Sequence, residues 1–330
     1  MLNGWIILDK PLGMGSTQGV GAVKRALREG GYPKVKIGHG GTLDPLATGV
    51  LPIALGEATK LAGRMLDSDK AYEFTVQFGS ETDTLDLEGK VIATSDVLPT
   101  LGEVEAILPR FTGPIEQTPP IYSAIKVDGA RAYDLARAGE TVEMKSRQVK
   151  IGALTILSAC GEVAAQRADG GGCQNETPPD TPLHRFAVPL PVNGEDLSAV
   201  TLFASVSKGT YIRSLARDIA HALGTVGHVT MLRRTKAGPF GLAQAISLDI
   251  LFEKAKARAL EDILLPIRTA LDDIPALALT PEQARLIGNG RVLSGIAAAD
   301  GLHLAMLDNL PVALVACLGG TMTVERGFNV

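Results

Sequence analysis

The chain of 330 residues has few of the features that mark secreted, membrane-bound or disulfide-rich proteins. Its three cysteines, Cys160, Cys173 and Cys317, are an odd and widely spaced set, which predicts no disulfide framework and favours a reducing compartment. No stretch approaches the roughly 18 consecutive apolar residues of a membrane-spanning helix. The N-terminus has no basic leader followed by a cleavage site, so we expect no secretory signal. These absences together predict a cytoplasmic protein that does not enter a membrane.

Motifs of several common enzyme classes are also missing. The glycine run that begins at Gly38 has Leu43 where a dinucleotide-binding fingerprint requires its third glycine, and no Gly-Lys-Ser/Thr closes it as in a phosphate-binding loop. Asp83 and Asp86 have the wrong spacing for a calcium loop. The five histidines and three cysteines show no metal-ligand spacing, and no serine or cysteine nucleophile elbow is present. We therefore expect neither a metal nor a cofactor.

The net charge of −4 argues weakly against a nucleic-acid partner, but the positive charge is concentrated in two places. Residues 205–240 contain six basic side chains and one acid, Asp218, and residues 20–36 contain five basic side chains and Glu29. Segregated charge of this kind is typical of RNA-binding proteins that are acidic elsewhere. A solvated helix face explains residues 20–36 equally well, whereas the charges of residues 205–240 alternate with apolar side chains.

One carboxylate, Asp44, stands in a loop of glycines, threonines and a proline (residues 38–49). Pro45 stiffens the loop, and its glycines allow unusual dihedral angles and a close approach of the backbone to a ligand. From the residues alone, Asp44 is either a turn residue or a reacting group, and the turn is the commoner role.

The apolar pattern of the chain predicts strands and helices in an irregular order. Period-2 or continuously apolar stretches predict strands, and period-3.6 stretches with capping residues predict helices. The predicted strands are 4–9, 72–78, 148–159 and 199–207; the predicted helices begin at Ser16, Thr100, residue 130, Tyr211 and Thr280. Because no regular βαβ repeat is present, an α+β fold is favoured. Residues 160–195 are predicted to be a mobile surface insertion, and a boundary is predicted near Pro275.

Six blocks of sequence carry a family resemblance. In chain order they are Gly4-Trp5 with Leu8-Asp9-Lys10-Pro11, residues 36–52, Lys70-Ala71-Tyr72, residues 117–126, residues 207–213 and residues 228–235. With these blocks the sequence resembles the TruB family of bacterial tRNA pseudouridine-55 synthases. The resemblance implies a mixed, largely antiparallel sheet in a catalytic domain (1–274), with a thumb-like RNA-binding segment (120–148) and a small β-rich PUA-like domain (275–330).

The resemblance also implies an activity: isomerisation of uridine-55 to pseudouridine in the T-arm loop of tRNA, with the uridine flipped out of its stack. It implies no metal, cofactor or guide RNA, no required protein partner, and a monomer. Asp44 is then the catalytic residue, either adding covalently or acting as a base at the ribose to give a glycal. The residues alone do not choose between these two mechanisms.

Other site residues follow from the same resemblance. Tyr72 is expected to stack on the target base, Leu232 to lie beneath it, and Arg213 to pair with Asp44 and keep it ionised. The expected RNA-binding residues are His39, which enters the RNA loop, and Lys10, Lys208, Tyr211 and Arg233. Without the resemblance, each of these would be assigned to core packing, a loop or a surface charge.

Two other functions stay open on the sequence. An RNA-binding module that helps tRNA to fold would need the same basic surfaces, with chemistry secondary. A guide-dependent subunit of box H/ACA ribonucleoproteins shares the aspartate loop, but it carries a larger RNA-binding terminal domain and often basic tails. The short terminal segment here, with only Arg285, Arg291 and Arg326 as basic residues, favours a stand-alone bacterial enzyme.

Overall fold

The computed structural model describes residues 2–127, 129–157 and 197–329, so the predicted insertion at 160–195 lies outside the described residues. The helices are α1 Ser16–Glu29, α2 Ala62–Asp67, α3 Leu101–Ile107, α4 Ala132–Arg137, α5 Ile212–Ala222, α6 Leu248–Lys256 and α7 Pro281–Gly288. The strands of the first half are β1 Gly4–Lys10, β2 Ile37–His39, β3 Ala47–Leu55, β4 Lys70–Phe78, β5 Ser80–Thr82, β6 Val91–Thr94, β7 Gly113–Gln117, β8 Lys126–Val127 and β9 Ala130–Arg131. Those of the second half are β10 Arg147–Ile156, β11 Ala199–Val206, β12 Gly227–Ala237, β13 Phe240–Gly241, β14 Ala276–Ala278, β15 Leu293–Ser294, β16 Gly301–Leu307, β17 Leu310–Leu318 and β18 Thr321–Gly327.

The chain divides into two compact units. Residues 69–235 form one, which we call the central unit. Residues 1–68 and 236–330 form the other, which we call the discontinuous unit. The predicted domain boundary at residue 275 lies inside the discontinuous unit and stays a prediction.

The central unit is built on an antiparallel sheet in which β4, β11, β10 and β7 are neighbours in that order, with β12 beside the other edge of β4. Phe74, Val76 and Phe78 are buried on one face of β4 as predicted, but Thr75 on the other face is also buried, where its hydroxyl lies 2.9 Å from that of Thr201. Helices α3 and α5 also contribute apolar side chains to this core. These side chains recur every three or four residues, as a helix packed on one side requires.

Of two helix starts predicted in the central unit, the start of α3 has its predicted capping residues and the start of α4 is shifted by two residues. The capping box of Thr100 and Glu103 is present at the start of α3. The helix predicted from residue 130 begins at Ala132 instead, because residues 130–131 pair with residues 126–127 as a short antiparallel hairpin. A two-residue strand has too few positions to show a period, so the pattern could not separate it from the helix that follows.

The discontinuous unit begins with the antiparallel pair β1 and β3, whose register runs from Gly4↔Leu55 to Lys10↔Gly49, and β2 also pairs with β3. Helices α1 and α6 contribute to one buried cluster with these strands. The C-terminal residues form a separate sheet of the same unit, in the order β14-β16-β17-β18-β15, in which only β14–β16 is parallel among the described pairs. Phe328 of this region packs into the cluster that contains Trp5.

Helices and mainly antiparallel strands occur together without a βαβ repeat, which confirms the predicted α+β class. Within the described residues, no helix is both long and apolar enough to span a membrane.

Candidate active site

The Asp44 loop joins β2 to β3 in the discontinuous unit, and its backbone is held next to the start of α1. The buried hydroxyl of Ser16 donates to the carbonyl oxygen of Leu43 at 2.9 Å and accepts from the Leu43 N–H at 2.7 Å. The carbonyl oxygen of Pro45 accepts from the Gly13 N–H at 2.9 Å. Asp44 itself is half-buried. The residues on both sides of the carboxylate are therefore hydrogen-bonded, which limits its movement.

Lys10 contributes to the same support from the end of β1. Its side chain is fully buried, and its ammonium group donates to the carbonyl oxygens of Met14 at 2.6 Å, Pro11 at 3.1 Å and Pro45 at 3.2 Å. A buried ammonium needs such acceptors to offset its desolvation. Lys10 thus ties the Asp44 loop to the chain before α1, and its predicted contact with RNA stays a prediction.

The glycines of the loop differ in what surrounds them. A Cβ added to Gly40 would lie 2.7 Å from Cβ of Met65, so the packing of its own unit requires a glycine there. Gly41 and Gly49 have φ angles of 131° and 99°, which side chains rarely tolerate. At Gly38 a Cβ would meet no atom within 4 Å. Only Gly38, among these four, has no internal reason to be glycine.

His39 is the last residue of β2, where it pairs with Ile53 and is half-buried. Asp44, Lys10 and His39 are thus the predicted site residues of the discontinuous unit.

Arg213, in the first turn of α5, is the most firmly held of the predicted residues in the central unit. Its side chain is 6% exposed, and its Nη1 lies 3.2 Å from Oδ2 of Asp86. Nη1 also donates to the carbonyl oxygen of Thr84 at 2.7 Å, and Nη2 donates to that of Tyr122 at 3.0 Å. A buried guanidinium with a carboxylate and two carbonyl acceptors is fixed in direction.

Asp86 is the functional residue that the sequence analysis missed, because it entered only as a rejected calcium ligand. Its Oδ1 accepts from the Thr84 hydroxyl at 2.5 Å and from the Glu88 N–H at 3.0 Å, which leaves Oδ2 directed at Arg213. Asp86 also forms an isolated bridge with Val229 of β12. No local motif signals this role, since the pairing depends on tertiary structure.

Tyr72 and Leu232 both pack against the core of the central unit. Tyr72 lies on β4 opposite Ala204 of β11, and Leu232 lies on β12; both are half-buried. The stacking of Tyr72 on the target base and the place of Leu232 beneath it stay predictions. Beside Tyr72, burial raises the pKa of the Glu73 carboxyl, and the nearby charge of Arg233 opposes that shift.

Lys208 and Tyr211 lie immediately before α5. Lys208 is exposed in a turn. The guanidinium of Arg147 covers the Tyr211 ring, at 5.1 Å from the ring centroid. The backbone N–H and carbonyl of Tyr211 are both hydrogen-bonded to the side chain of Gln117. The stacked pair presents a cation beside an aromatic ring, which is an arrangement suited to nucleotides.

The basic stretch at residues 205–240 is therefore only partly a surface. Arg213 and Arg234 are buried, and Arg217 is bonded to Asp218 at 2.7 Å, whereas Lys208 and Lys236 are exposed. The interpretation of this stretch as one RNA-facing patch is too simple, because its apolar periodicity places some of its arginines inside the fold.

No group of three or more His, Cys, Asp or Glu side chains in the described ranges is arranged to hold a metal ion. The predicted residues supply a carboxylate in the discontinuous unit, and a tyrosine and a fixed guanidinium in the central unit. Such a set suits nucleophilic or general-base catalysis.

Comparisons with known proteins agree with this chemistry. The model of the TruB family pseudouridylate synthase N-terminal domain matches residues 27–170, and that of the tRNA pseudouridylate synthase B C-terminal domain matches residues 213–272. The chain is 58% identical over 329 residues to tRNA pseudouridine synthase B of Novosphingobium aromaticivorans, covering 100% of this chain and 98% of that one. It is 53% identical to the protein of the same name from Zymomonas mobilis, covering 99% and 96%.

Solved structures show the same fold at lower identity. The chain resembles that in "Structure of H/ACA RNP bound to a substrate RNA containing 2'-deoxyuridine" with a TM-score of 0.67 and 23% identity, covering 99% of this chain and 85% of the other. A Cbf5-Nop10-Gar1 complex gives a TM-score of 0.67 and 24% identity with the same coverage. The fold is that of the pseudouridine synthases. The chain belongs to the TruB family, as its sequence blocks predicted.

Proposed function

We propose that this protein isomerises uridine-55 to pseudouridine in the T-arm loop of tRNA. Membership of the TruB family over nearly the whole chain supports this reaction, and so does the rigidly held loop that carries Asp44. The enzyme uses no cofactor, metal or guide RNA. It acts as a monomer in the cytoplasm and needs no protein partner.

The reaction breaks the C–N glycosidic bond, rotates the uracil and forms a C–C bond through C5, which then loses its proton to solvent. Asp44 either adds covalently to the nucleoside or removes a proton from the ribose to give a glycal; both routes need an ionised carboxylate at a fixed position. The hydrogen bonds of Leu43 and Pro45 support that fixed position.

Arg213 is assigned the role of keeping Asp44 ionised, by the family resemblance and by its own fixed orientation. Asp86, Thr84 and Tyr122 direct the guanidinium, so no reorganisation is needed when the charge of the reacting group changes. Tyr72 stacks on the flipped uracil and Leu232 supports it from below.

RNA binding is assigned to residues that flank these groups. His39 displaces a stacked base from the T-loop, and Lys208, Tyr211 and Arg233 contact the nucleotides around the target, as do residues of the segment 120–148. Lys10 acts by holding the Asp44 loop in place. Because the target base must leave its stack, flipping a base of the T-arm loop costs less free energy than flipping one from a duplex.

Tritium release from a T-arm stem-loop labelled at C5 of uridine tests this proposal. Wild-type protein should release tritium without added cofactor. Asp44→Asn should lower the rate by about 10²–10⁴-fold, the typical contribution of a positioned general base. Asp96→Asn, a change at an exposed acid, is the matched control and should retain full activity.

RNA binding by Asp44→Asn completes the test. A gel-shift or filter assay should show affinity close to that of the wild type. Full activity of the variant would refute the catalytic assignment of Asp44. If the wild type binds the stem-loop and promotes tRNA folding but releases no tritium, the protein is an RNA-folding module and the proposed reaction is wrong.

A further inference from the structure

Residues 118–125 run beside α5, and the carbonyl groups of Thr118 and Tyr122 accept hydrogen bonds from side chains of that helix. The carbonyl oxygen of Thr118 accepts from the Ser214 hydroxyl at 2.8 Å and from Nη2 of Arg217 at 3.2 Å. That of Tyr122 accepts from Nη2 of Arg213 at 3.0 Å. Three residues of α5, namely Arg213, Ser214 and Arg217, are thus bonded to this short non-helical segment.

Ser123 is the exception within this segment. The residue is only 4% exposed, and among the residues that the structure describes no group bonds to its buried hydroxyl. A buried hydroxyl without a partner destabilises the folded state relative to a paired one. Alanine would fill this position without that cost, so the free protein gains nothing from the hydroxyl.

The backbone of Ser123 is directly connected to Arg213. The peptide group between Tyr122 and Ser123 donates its N–H to the carbonyl oxygen of Ile121 at 2.9 Å, in a three-residue turn. The carbonyl of the same peptide group accepts from Arg213. Any contact that fixes the side chain of Ser123 therefore also fixes the peptide plane that orients the guanidinium.

We infer that Ser123 is a positioning residue whose hydroxyl bonds to a polar group of the bound RNA and thereby locks the Tyr122 carbonyl onto Arg213. This inference rests on the proposed function, because the RNA is the partner. The neighbours of Ser123 in the chain support access: Ala124 is exposed and Ile121 is 43% exposed, so a small shift of this turn uncovers the hydroxyl.

Ser123→Ala tests the inference, with Ser214→Ala as the matched reference for a buried hydroxyl that is already bonded in the free protein. We expect the melting temperature of Ser123→Ala to equal or exceed that of the wild type, while Ser214→Ala melts lower. On the C5-tritiated stem-loop, we expect Ser123→Ala to lose about five- to ten-fold in kcat/KM, the effect of one hydrogen bond. The single-turnover rate at saturating RNA should fall, because the loss misdirects Arg213.

Two results would overturn the assignment. A melting temperature of Ser123→Ala as low as that of Ser214→Ala would mean that the hydroxyl already has a partner in the free protein. A wild-type single-turnover rate in Ser123→Ala would mean that the hydroxyl does not act on the reaction. Either result leaves the proposed function intact if the wild type releases tritium, whereas an inactive wild type refutes the proposed function itself.

Discussion

The Asp44 loop and the surroundings of Arg213 are held by different kinds of contact. The loop is fixed through its backbone: the Ser16 hydroxyl and the Lys10 ammonium bond to main-chain groups, and glycines permit the close packing. Arg213 is fixed through its side chain, by a carboxylate and two carbonyl acceptors.

This difference has a consequence for substitution. Backbone support is distributed over several bonds, so the loss of any one should shift Asp44 only slightly. The guanidinium has the charged partner Asp86 among its described contacts, and removal of one partner of a buried ion pair is strongly destabilising. The two regions should therefore respond unequally to single substitutions, with the larger effect at the arginine.

Asp86→Ala is the most severe test of this comparison. We expect it to lower the free energy of unfolding by about 3–5 kcal/mol, because the buried Arg213 loses the carboxylate that lies 3.2 Å from its Nη1. At a temperature where the variant is still folded, tritium release should fall by at least about 10²-fold, the effect expected when a catalytic group moves by about 1 Å. Urea unfolding and single-turnover kinetics measure the two effects.

Asp83→Ala is the control for that experiment. Asp83 lies in the same turn, but its carboxylate accepts from the Lys90 N–H and does not contact Arg213 in the structure's described contacts. Asp83→Ala should lower the free energy of unfolding much less than Asp86→Ala does, and it should leave the rate of tritium release almost unchanged. Equal losses in both variants would show that the turn as a whole, and not the charge on Asp86, supports the arginine.

Two glycines test the backbone packing of the Asp44 loop. Gly40→Ala should lower the free energy of unfolding by about 1–3 kcal/mol, since its Cβ would overlap with Met65.

Gly38→Ala should leave stability unchanged because a Cβ there meets nothing within 4 Å. If Gly38 provides clearance for the flipped uridine, Gly38→Ala still lowers kcat/KM by about ten-fold or more. Unchanged activity in a stable Gly38→Ala protein would refute the clearance hypothesis.

Local sequence patterns predicted much of the fold because they depend on neighbours in the chain. The apolar face of β4 and the capping box of Thr100 need only a few residues each, and both are present. The burial of Lys10 and the pairing of Asp86 with Arg213 depend on residues brought together by folding; Arg213 reaches the Thr84 carbonyl across 129 positions. No window of sequence contains both partners of such a contact.

The site was predicted mainly by the family resemblance, and composition contributed less. The basic stretch at 205–240 indicated RNA, yet two of its arginines are buried. A count of charges does not separate a surface cation from one that supports a site, because both interleave with apolar residues in the same way. The periodicity of α5, which buries Arg213 with Ile212 and Leu215, is the physical reason for the difference.

The smallest expected effect concerns Glu73 of the central unit. Like Asp86, Glu73 lies near an arginine, but Glu73 is only half-buried. Burial raises the pKa of Glu73 above its ordinary value of 4.5, and the attraction of Arg233 only partly offsets that shift. The folded state therefore holds the proton more tightly than the unfolded chain. Stability falls as the pH rises from about 4.5 through the raised pKa, because the unfolded chain loses its proton first.

Glu73→Gln removes this titration. Urea unfolding between pH 4 and pH 7 should show the wild type losing stability relative to the variant across the lower part of that range, with a constant difference above it. Glu105→Gln, at an exposed position of α3, is the matched control variant. A wild type that gains stability relative to Glu73→Gln as the pH rises would mean that the attraction of Arg233 outweighs burial. Attraction by the arginine would then be the larger effect at Glu73. The difference in burial between Glu73 and Asp86 would then not separate the two carboxylates.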